Sequence, residues 1–168
     1  IEFNDKMKER PKEIKWFEGQ RILLRRLVNR RQRMMASCIT ETFITNKNLY
    51  SVIPKNISTN ILAILGVINS RIISYLYINQ VTQATKDDFP QVTIKDVLSL
   101  PFPCIANEDA RHNRMVQLVE QMLVLHKQLT EAKTSHEQTL IQRQIDATDK
   151  QIDKLVYELY DLTPEEIA

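Results

Sequence analysis

The residues best suited to a charged partner are arginines near the start of the chain. Residues 21–33 contain no acid and six arginines: Arg21, Arg25, Arg26, Arg30, Arg31 and Arg33. A DNA duplex carries one negative charge per about 1.7 Å of its axis, so a cationic cluster gains free energy there by releasing counterions. The arginine fork can also bond guanine O6 and N7 together, which reads a base. The cluster therefore predicts DNA contact, and the alternative is a solvated or internally ion-paired face.

A second polar loop and the uneven charge agree with this prediction. Lys47, Asn48 and Tyr50 offer donors for bases or phosphates, although an ordinary hairpin loop contains the same residue types. The chain has a net charge of +2, but residues 1–33 carry a balance of +6 and residues 108–168 one of −5. A polyanion is therefore expected on the first third and not on the last.

The sequence offers little support for a phosphate loop or a metal site. Two glycines, Gly19 and Gly66, are too few for a G-x-G-x-x-G loop. The three histidines share no metal-ligand spacing with one another or with a cysteine: His112, His126 and His136. We therefore predict no cofactor-binding or metal-binding residue in this chain.

A row of carboxylates near the C-terminus is the remaining catalytic candidate. Asp146, Asp149 and Asp153 are spaced three and four residues apart on one predicted helix. A two-metal nuclease needs carboxylates that converge in a pocket. Because Lys150 and Lys154 lie beside them, a salt-bridged solvent face is the favoured interpretation, and no catalytic residue is predicted.

The basic cluster lies where short strands are predicted. Apolar and β-branched runs, separated by polar turns, indicate a meander of three or four strands over residues 21–28, 34–40, 42–45 and 49–53. Strand side chains alternate between faces, so only one of Arg25 and Arg26 is expected to face DNA.

Short helices follow the predicted sheet. Ser58 is expected to be the N-cap of the first helix, which residues 69–70 interrupt before a second helix over 72–78. Thr93, with Asp96 three residues later, predicts the start of a third short helix.

The last third has the 3.5-residue period of a helical hairpin. The apolar seam, with one polar member, comprises Met115, Leu118, Met122, Leu125, Leu129, Ala132, Ile141, Ile145, Thr148, Ile152, Leu155 and Leu159. Thr134 and Glu137 form a capping box, which predicts two antiparallel helices over 109–132 and 135–160 rather than one continuous helix. Thr163, followed by proline, predicts a further helix start.

These elements predict an α+β fold in two parts. Residues 1–107 are expected to form a small mixed or antiparallel sheet with short helices, and residues 108–168 a long, coiled-coil-like antiparallel hairpin with a further helix start. Because the chain begins with Ile1, we expect a piece of a longer protein. The longest apolar run, 61–68, is far too short for a membrane span, so a cytoplasmic protein is expected.

The C-terminal run resembles the ending of a known family. Residues 144–167 read QIDATDKQIDKLVYELYDLTPEEI and are similar to the end of TaqI-like specificity domains, which occur in adenine-specific DNA methyltransferases and in restriction enzymes fused to them. Asp161 stands where such families keep a glycine. Further similar features, in the same order, are the arginine-bearing strand 21–26, the helix 61–70, Phe-Pro-Gln-Val at 89–92 and Leu-Pro-Phe-Pro at 100–103.

The resemblance implies a division of labour within a bacterial restriction-modification enzyme. The globular part would read double-stranded DNA, and the hairpin would brace it. An upstream methyltransferase domain of the same chain would bind S-adenosylmethionine and flip out an adenine, with or without restriction activity in the same protein. The Asn-Pro-Pro-Tyr type motif of such a domain is absent here. The alternative is an assembly domain whose hairpin pairs with another subunit while the globular part only packs.

Overall fold

The computed structural model describes residues 13–55, 60–80, 91–103 and 110–167. After a single 3₁₀ turn at Ile14–Phe17, the elements are the strands β1 (Arg21–Arg25), β2 (Ala36–Ile39) and β3 (Leu49–Val52), and the helices α1 (Ile61–Asn69), α2 (Arg71–Gln80), α3 (Ile94–Ser99), α4 (Ala110–Glu131), α5 (Ser135–Leu159) and α6 (Pro164–Ile167). The predicted α+β class is confirmed.

The sheet has three antiparallel strands in the order β2-β1-β3. The register pairs Ile22 of the central strand with Cys38 on one side and Val52 on the other. Ile22 and Leu24 are buried against the helices, whereas Arg25 is exposed. This alternation is what a sheet with one covered face requires.

The predicted fourth strand over residues 42–45 is wrong. This segment has no strand partner among the described residues, and it wraps around the side chain of Arg21 instead. The backbone N–H of Phe43 donates to Phe17 O at 3.0 Å, and its carbonyl oxygen accepts a hydrogen bond from Arg21. Its β-branched composition favoured a strand, but the carbonyl oxygen of Phe43 accepts from a buried guanidinium instead of from a neighbouring strand.

Helix α1 lies between the sheet and the hairpin and is buried along most of its length. Its N-cap is Asn60, whose Oδ1 accepts from the N–H of Leu62 at 2.9 Å. The prediction of Ser58 as the cap is therefore corrected, and Ser58 itself lies outside the described residues. The predicted interruption is confirmed, because Ser70 ends α1 and α2 begins one residue later.

The hairpin forms as its capping box predicts. Thr134 Oγ1 accepts from the N–H of Glu137 at 3.2 Å, and Glu137 Oε2 accepts from the N–H of Lys133 at 3.2 Å. Arg114, near the start of α4, donates to Gln151, near the end of α5, at 2.9 Å, which fixes the antiparallel arrangement. Thr93 likewise caps α3, through the N–H of Asp96.

One hydrophobic core joins the sheet to the hairpin. It includes Ile22 of β1 and Leu65 of α1 together with Met115 of α4 and Val156 of α5. The division at residues 107 and 108 stays a prediction, and the core contains side chains from both sides of it. None of the described helices alone is long and apolar enough to cross a membrane, while α1 and α2 taken together, bent by 60°, reach that length and composition.

Candidate nucleic-acid interface

The side chain of Arg21 is completely buried at the start of β1. Its Nη1 donates to the carbonyl oxygens of Gly19 and Glu41 at 2.9 Å each, and its Nη2 donates to Phe43 O at 3.0 Å. The guanidinium therefore joins the segment before β1 to the segment after β2. It has no surface to offer to DNA in this structure, so the prediction that Arg21 contacts DNA is corrected.

Arg25 and Arg26 differ as the alternation of strand side chains predicts. Arg25 is exposed at the end of β1, and Arg26 is half-buried, with its Nε lacking a hydrogen-bond partner. The backbone of Arg26 also ties together two neighbouring segments, because its N–H donates to Asn48 O at 2.9 Å and its carbonyl accepts from Val92 N at 2.6 Å. Of the two side chains, Arg25 is the one open to a large partner.

Arg30 and Arg31 lie exposed at the tip of a turn that Asn29 organises. Asn29 Oδ1 accepts from the N–H groups of Arg31 at 2.9 Å and Arg33 at 2.8 Å, and the N–H of Asn29 donates to Arg33 O at 3.0 Å. Gln32 takes a φ of 56°, a left-handed conformation that closes the turn. A short side chain thus fixes the backbone while both arginine side chains remain free.

Lys47 and Asn48 reach the same end of the sheet from a different loop. Both are exposed, in a turn where Asn46 Oδ1 accepts from Asn48 N at 2.9 Å. The turn lies beside the end of β1, because Asn48 O accepts from Arg26 N at 2.9 Å.

Tyr50 is placed in the same region but has a structural contact. Its side chain is half-buried, and its hydroxyl donates to the carbonyl of Val92 at 3.1 Å. Tyr77, a fully buried residue of α2, donates in the same way to Gln91 O at 2.7 Å, and burial raises its pKa to about 12. The two tyrosines hold residues 91–92 against the end of β1.

We call the exposed side chains of Arg25, Arg30, Arg31, Lys47 and Asn48 the basic end of the sheet. They come from β1 and from two loops that the antiparallel register brings to one end of it. Within the described parts of the chain, none of the four cations forms an ion pair. The basic end therefore keeps its charge available to an anionic partner.

Arg33, the sixth arginine of the cluster, points instead to the hairpin. Its Nη2 lies 3.2 Å from Asp149 Oδ1 and donates to Asn69 O at 2.5 Å, while its Nη1 lies 3.6 Å from Asp153 Oδ2. Arg71 adds a second cation, with Nε 3.1 Å from Asp153 Oδ2. We call Arg33, Arg71, Asp149 and Asp153 the buried ion cluster after its one buried member, Asp153; the side chains of Arg71 and Asp149 are 61% and 35% exposed.

Asp153 is 4% exposed, so the predicted solvent face of the acidic row is wrong at this residue. Burial raises the pKa of its carboxyl, and the backbone N–H of Arg71 and the charge of Arg33 lower it by less. The partners of Asp149 and Asp153 are arginines outside the hairpin rather than the neighbouring lysines. One sequence signal pointed this way, because Asp153 stands between the buried residues Ile152 and Leu155.

An open groove of about 1080 Å³ lies between the hairpin and residues 29–33, which we call the arginine turn, beside the contact that Arg33 makes with the hairpin. It is lined by two acids, Asp146 and Asp149, and by four cations: Arg31, Arg33, Arg71 and Lys150. Arg33 and Arg71 are already paired with carboxylates, so the groove leaves less positive charge available to a polyanion than the basic end does. The outer side of the turn, at the basic end, is the more favourable surface for one. Among the described residues, no group of three or more histidine, cysteine or acidic side chains could hold a metal ion.

Comparison with protein families gives a match over the first part of the chain. Residues 1–102 match the family described as the TaqI-like C-terminal specificity domain. The matched range contains the sheet, the arginine turn and helices α1 to α3. It does not include the C-terminal run at residues 144–167.

A curated relative extends the similarity beyond the matched range. The chain is 32% identical over 150 residues to a protein of Methanocaldococcus jannaschii named "Putative type II restriction enzyme and methyltransferase". The alignment covers 88% of this chain and 12% of that protein. It therefore continues past residue 102 into the hairpin, and the chain spans about an eighth of the relative's length.

Proposed function

Because this chain belongs to the family of TaqI-like C-terminal specificity domains, we propose that it reads the sequence of duplex DNA for a restriction-modification enzyme. The contact surface is the basic end of the sheet. The observation that carries this proposal is that Arg25, Arg30, Arg31 and Lys47 come together from a strand and two loops, with no described acid paired to them. A cytoplasmic site of action, where prokaryotic DNA lies, follows from it.

The side chains of the basic end suit two kinds of DNA contact. Arg30 and Arg31 project from the tip of a turn, so their planar forks have the reach to bond base edges in the major groove. Arg25 at the strand end and Lys47 in the neighbouring loop suit phosphates, which position a protein on the duplex without reading its sequence. Asn48 adds an amide that can pair with adenine N6 and N7.

The methylation chemistry belongs, on this proposal, to another part of a longer protein. S-adenosylmethionine would supply the methyl group there, and the described residues here do not fit such a cofactor. Gly66 is a packing residue, since a Cβ at this position would lie 2.5 Å from Met115 Sδ. Gly19 stands alone in a turn with a φ of +67°. We therefore assign to this chain recognition of DNA and no step of methyl transfer.

Selection from a random pool of DNA duplexes tests base reading directly. The 168-residue chain is expected to enrich one short motif. The variant Arg30→Ala with Arg31→Ala should lose the enrichment. The matched control, Lys133→Ala with Arg143→Ala, removes the same charge at the far end of the hairpin and should keep it. Absence of any enriched motif with the unmodified chain would contradict base reading.

A second candidate function is assembly through the hairpin. Val124 of α4 is 55% exposed and Leu140 of α5 is 45% exposed, and the antiparallel arrangement places them at the same level. Apolar side chains of this kind suit an interface with another subunit or domain. Changing both to serine should convert an oligomer to a monomer in sedimentation analysis. An unchanged sedimentation coefficient would remove this candidate.

A further inference from the structure

The arginine turn is closed by a residue whose side chain is held by the hairpin. Arg33 donates its backbone N–H to Asn29 Oδ1 at 2.8 Å, and its carbonyl accepts from Asn29 N at 3.0 Å. Its guanidinium lies between Asp149 and Asp153 of α5, with side chains 35% and 6% exposed. The same residue therefore belongs to the turn through its backbone and to the buried ion cluster through its side chain.

Asp153 also connects α5 to the start of α2. Its Oδ1 accepts from the N–H of Arg71, the first residue of α2, at 2.8 Å, and its Oδ2 lies 3.1 Å from Arg71 Nε. The carboxylate thus satisfies an N–H that the first turn of a helix leaves open, and the helix dipole favours the negative charge there. The arginine turn, α2 and α5 therefore meet at the side chain of Asp153.

The chain that leaves the turn is fixed by the helices as well. Met34 N donates to Ser74 Oγ at 3.1 Å, and Ala36 N donates to Asn69 Oδ1 at 2.8 Å. The base of the turn is therefore anchored on several sides, while Arg30 and Arg31 at its tip are exposed. A rigid base with a free tip is the arrangement that reduces the entropy lost when side chains bind a partner.

We infer that Asp149 and Asp153 are positioning residues, which hold the arginine turn through Arg33 in the conformation that binds DNA. This inference rests on the proposed function, because it assigns the hairpin a part in recognition at the basic end. The two acids need no contact with DNA for this role. They act on the backbone that carries Arg30 and Arg31, so an acidic helix assists the binding of a polyanion.

The charge of the two acids and their positioning role predict opposite changes in DNA affinity when the acids are neutralised. Asp149→Asn with Asp153→Asn removes two negative charges, which by electrostatics alone should tighten binding to DNA. Loss of positioning should weaken it instead, by about tenfold, because the arginines must then be ordered on binding. The matched control, Asp146→Asn with Asp161→Asn, removes the same charge outside the buried ion cluster and should bind equally well or more tightly. The probe is a fluorescein-labelled duplex of random sequence, followed by anisotropy.

A DNA-independent measurement separates this inference from the proposed function. Hydrogen exchange of the amides at 29–33 should be faster in Asp149→Asn with Asp153→Asn than in the control variant. Unchanged exchange overturns the positioning role, and so does binding as tight as that of the control when Arg30→Ala with Arg31→Ala itself weakens binding. If exchange is faster but Arg30→Ala with Arg31→Ala binds DNA normally, the positioning role stands and the proposed function fails.

A second variant covers the case in which the double change prevents folding. Arg33→Lys keeps the charge but replaces the fork, which reaches Asn69 O, Asp149 and Asp153, with a single ammonium. It should give the same faster exchange at the turn and the same weaker binding. Normal exchange together with normal binding in this variant would overturn the inference.

Discussion

The guanidinium groups of Arg21 and Arg33 are both occupied within the chain, but by different kinds of partner. Arg21 is fully buried among three carbonyl oxygens. Arg33 is 20% exposed at its side chain and faces two carboxylates. Buried polar groups cost free energy unless they are hydrogen-bonded, so each arginine fixes the geometry of the segments that provide its acceptors.

Arg21→Ala is expected to lower the free energy of unfolding by about 3 kcal/mol, because three carbonyls then lose a charged donor inside the protein. Arg25→Ala provides the control on the same face of the same strand. Since Arg25 is exposed, its removal should change the free energy of unfolding by less than about 0.5 kcal/mol. Urea unfolding of both variants checks this, and equal effects would refute the structural role of Arg21.

Asp153 should make stability depend on pH. Because burial raises its pKa, the folded protein binds this proton more tightly than the unfolded chain. The stabilisation that this tighter proton binding gives to the folded protein is fully present below the ordinary pKa of the carboxyl. It is lost as the pH rises through the raised pKa. Arg33, Arg71, Asp149 and Tyr157 are the charged and titratable groups coupled to it.

The measurement is urea unfolding of the unmodified chain and of Asp153→Asn over a series of pH values. The difference between the two free energies of unfolding isolates this carboxyl from the other acids. It should fall as the pH rises. A difference that grows with pH would mean that the ion pairs outweigh burial, so that the pKa of Asp153 is lowered rather than raised.

The sequence identified the arginine cluster but not the separate roles within it. Arg21 binds carbonyls 20 and 22 residues away, and Arg33 binds a carboxylate 116 residues away. A local pattern contains no information about partners at that distance. Arg25 and Arg26 were separable, because strand alternation is a local property.

At the scale of elements, the features set by neighbouring residues were predictable. The N-caps at Thr93 and Thr134 and the helix interruption at Ser70 all occur where the sequence predicts them. The predictions that failed concern segments whose backbone groups bind a side chain that is distant in the sequence. Residues 42–45 have strand composition, yet the carbonyl oxygen of Phe43 accepts from Arg21.

Gly66 sets the distance between α1 and α4. A Cβ at this position would lie 2.5 Å from Met115 Sδ and 3.0 Å from Val119 Cγ2. In an open helix, Gly→Ala stabilises by about 1 kcal/mol. Here overpacking should outweigh that gain, so Gly66→Ala is expected to destabilise by about 1–2 kcal/mol in thermal unfolding.

A double-mutant cycle tests the cause of this effect. Met115→Ala should reduce the cost of Gly66→Ala, because it removes the nearest clashing atom. Strict additivity of the two changes would contradict the proposed packing contact between α1 and α4.

At the scale of the whole molecule, the hairpin shares both the core and the buried ion cluster with the sheet and short helices. Val156 and Met115 pack in the same core as Ile22. The heptad spacing predicted the helices correctly, but it treats them as a separate coiled coil. The connection to the arginine turn became visible only in three dimensions, because Asp149 and Asp153 look like surface acids in the sequence.

The most direct test of the central claim is the salt dependence of DNA binding. The logarithm of the binding constant falls with the logarithm of salt concentration, by a slope of about 0.9 per phosphate neutralised. Removing the two phosphate-contacting cations together, in Arg25→Ala with Lys47→Ala, should therefore reduce this slope by about 2, and Lys133→Ala with Arg143→Ala should leave it unchanged. A slope that is the same in the unmodified chain and in Arg25→Ala with Lys47→Ala would contradict DNA binding at the basic end.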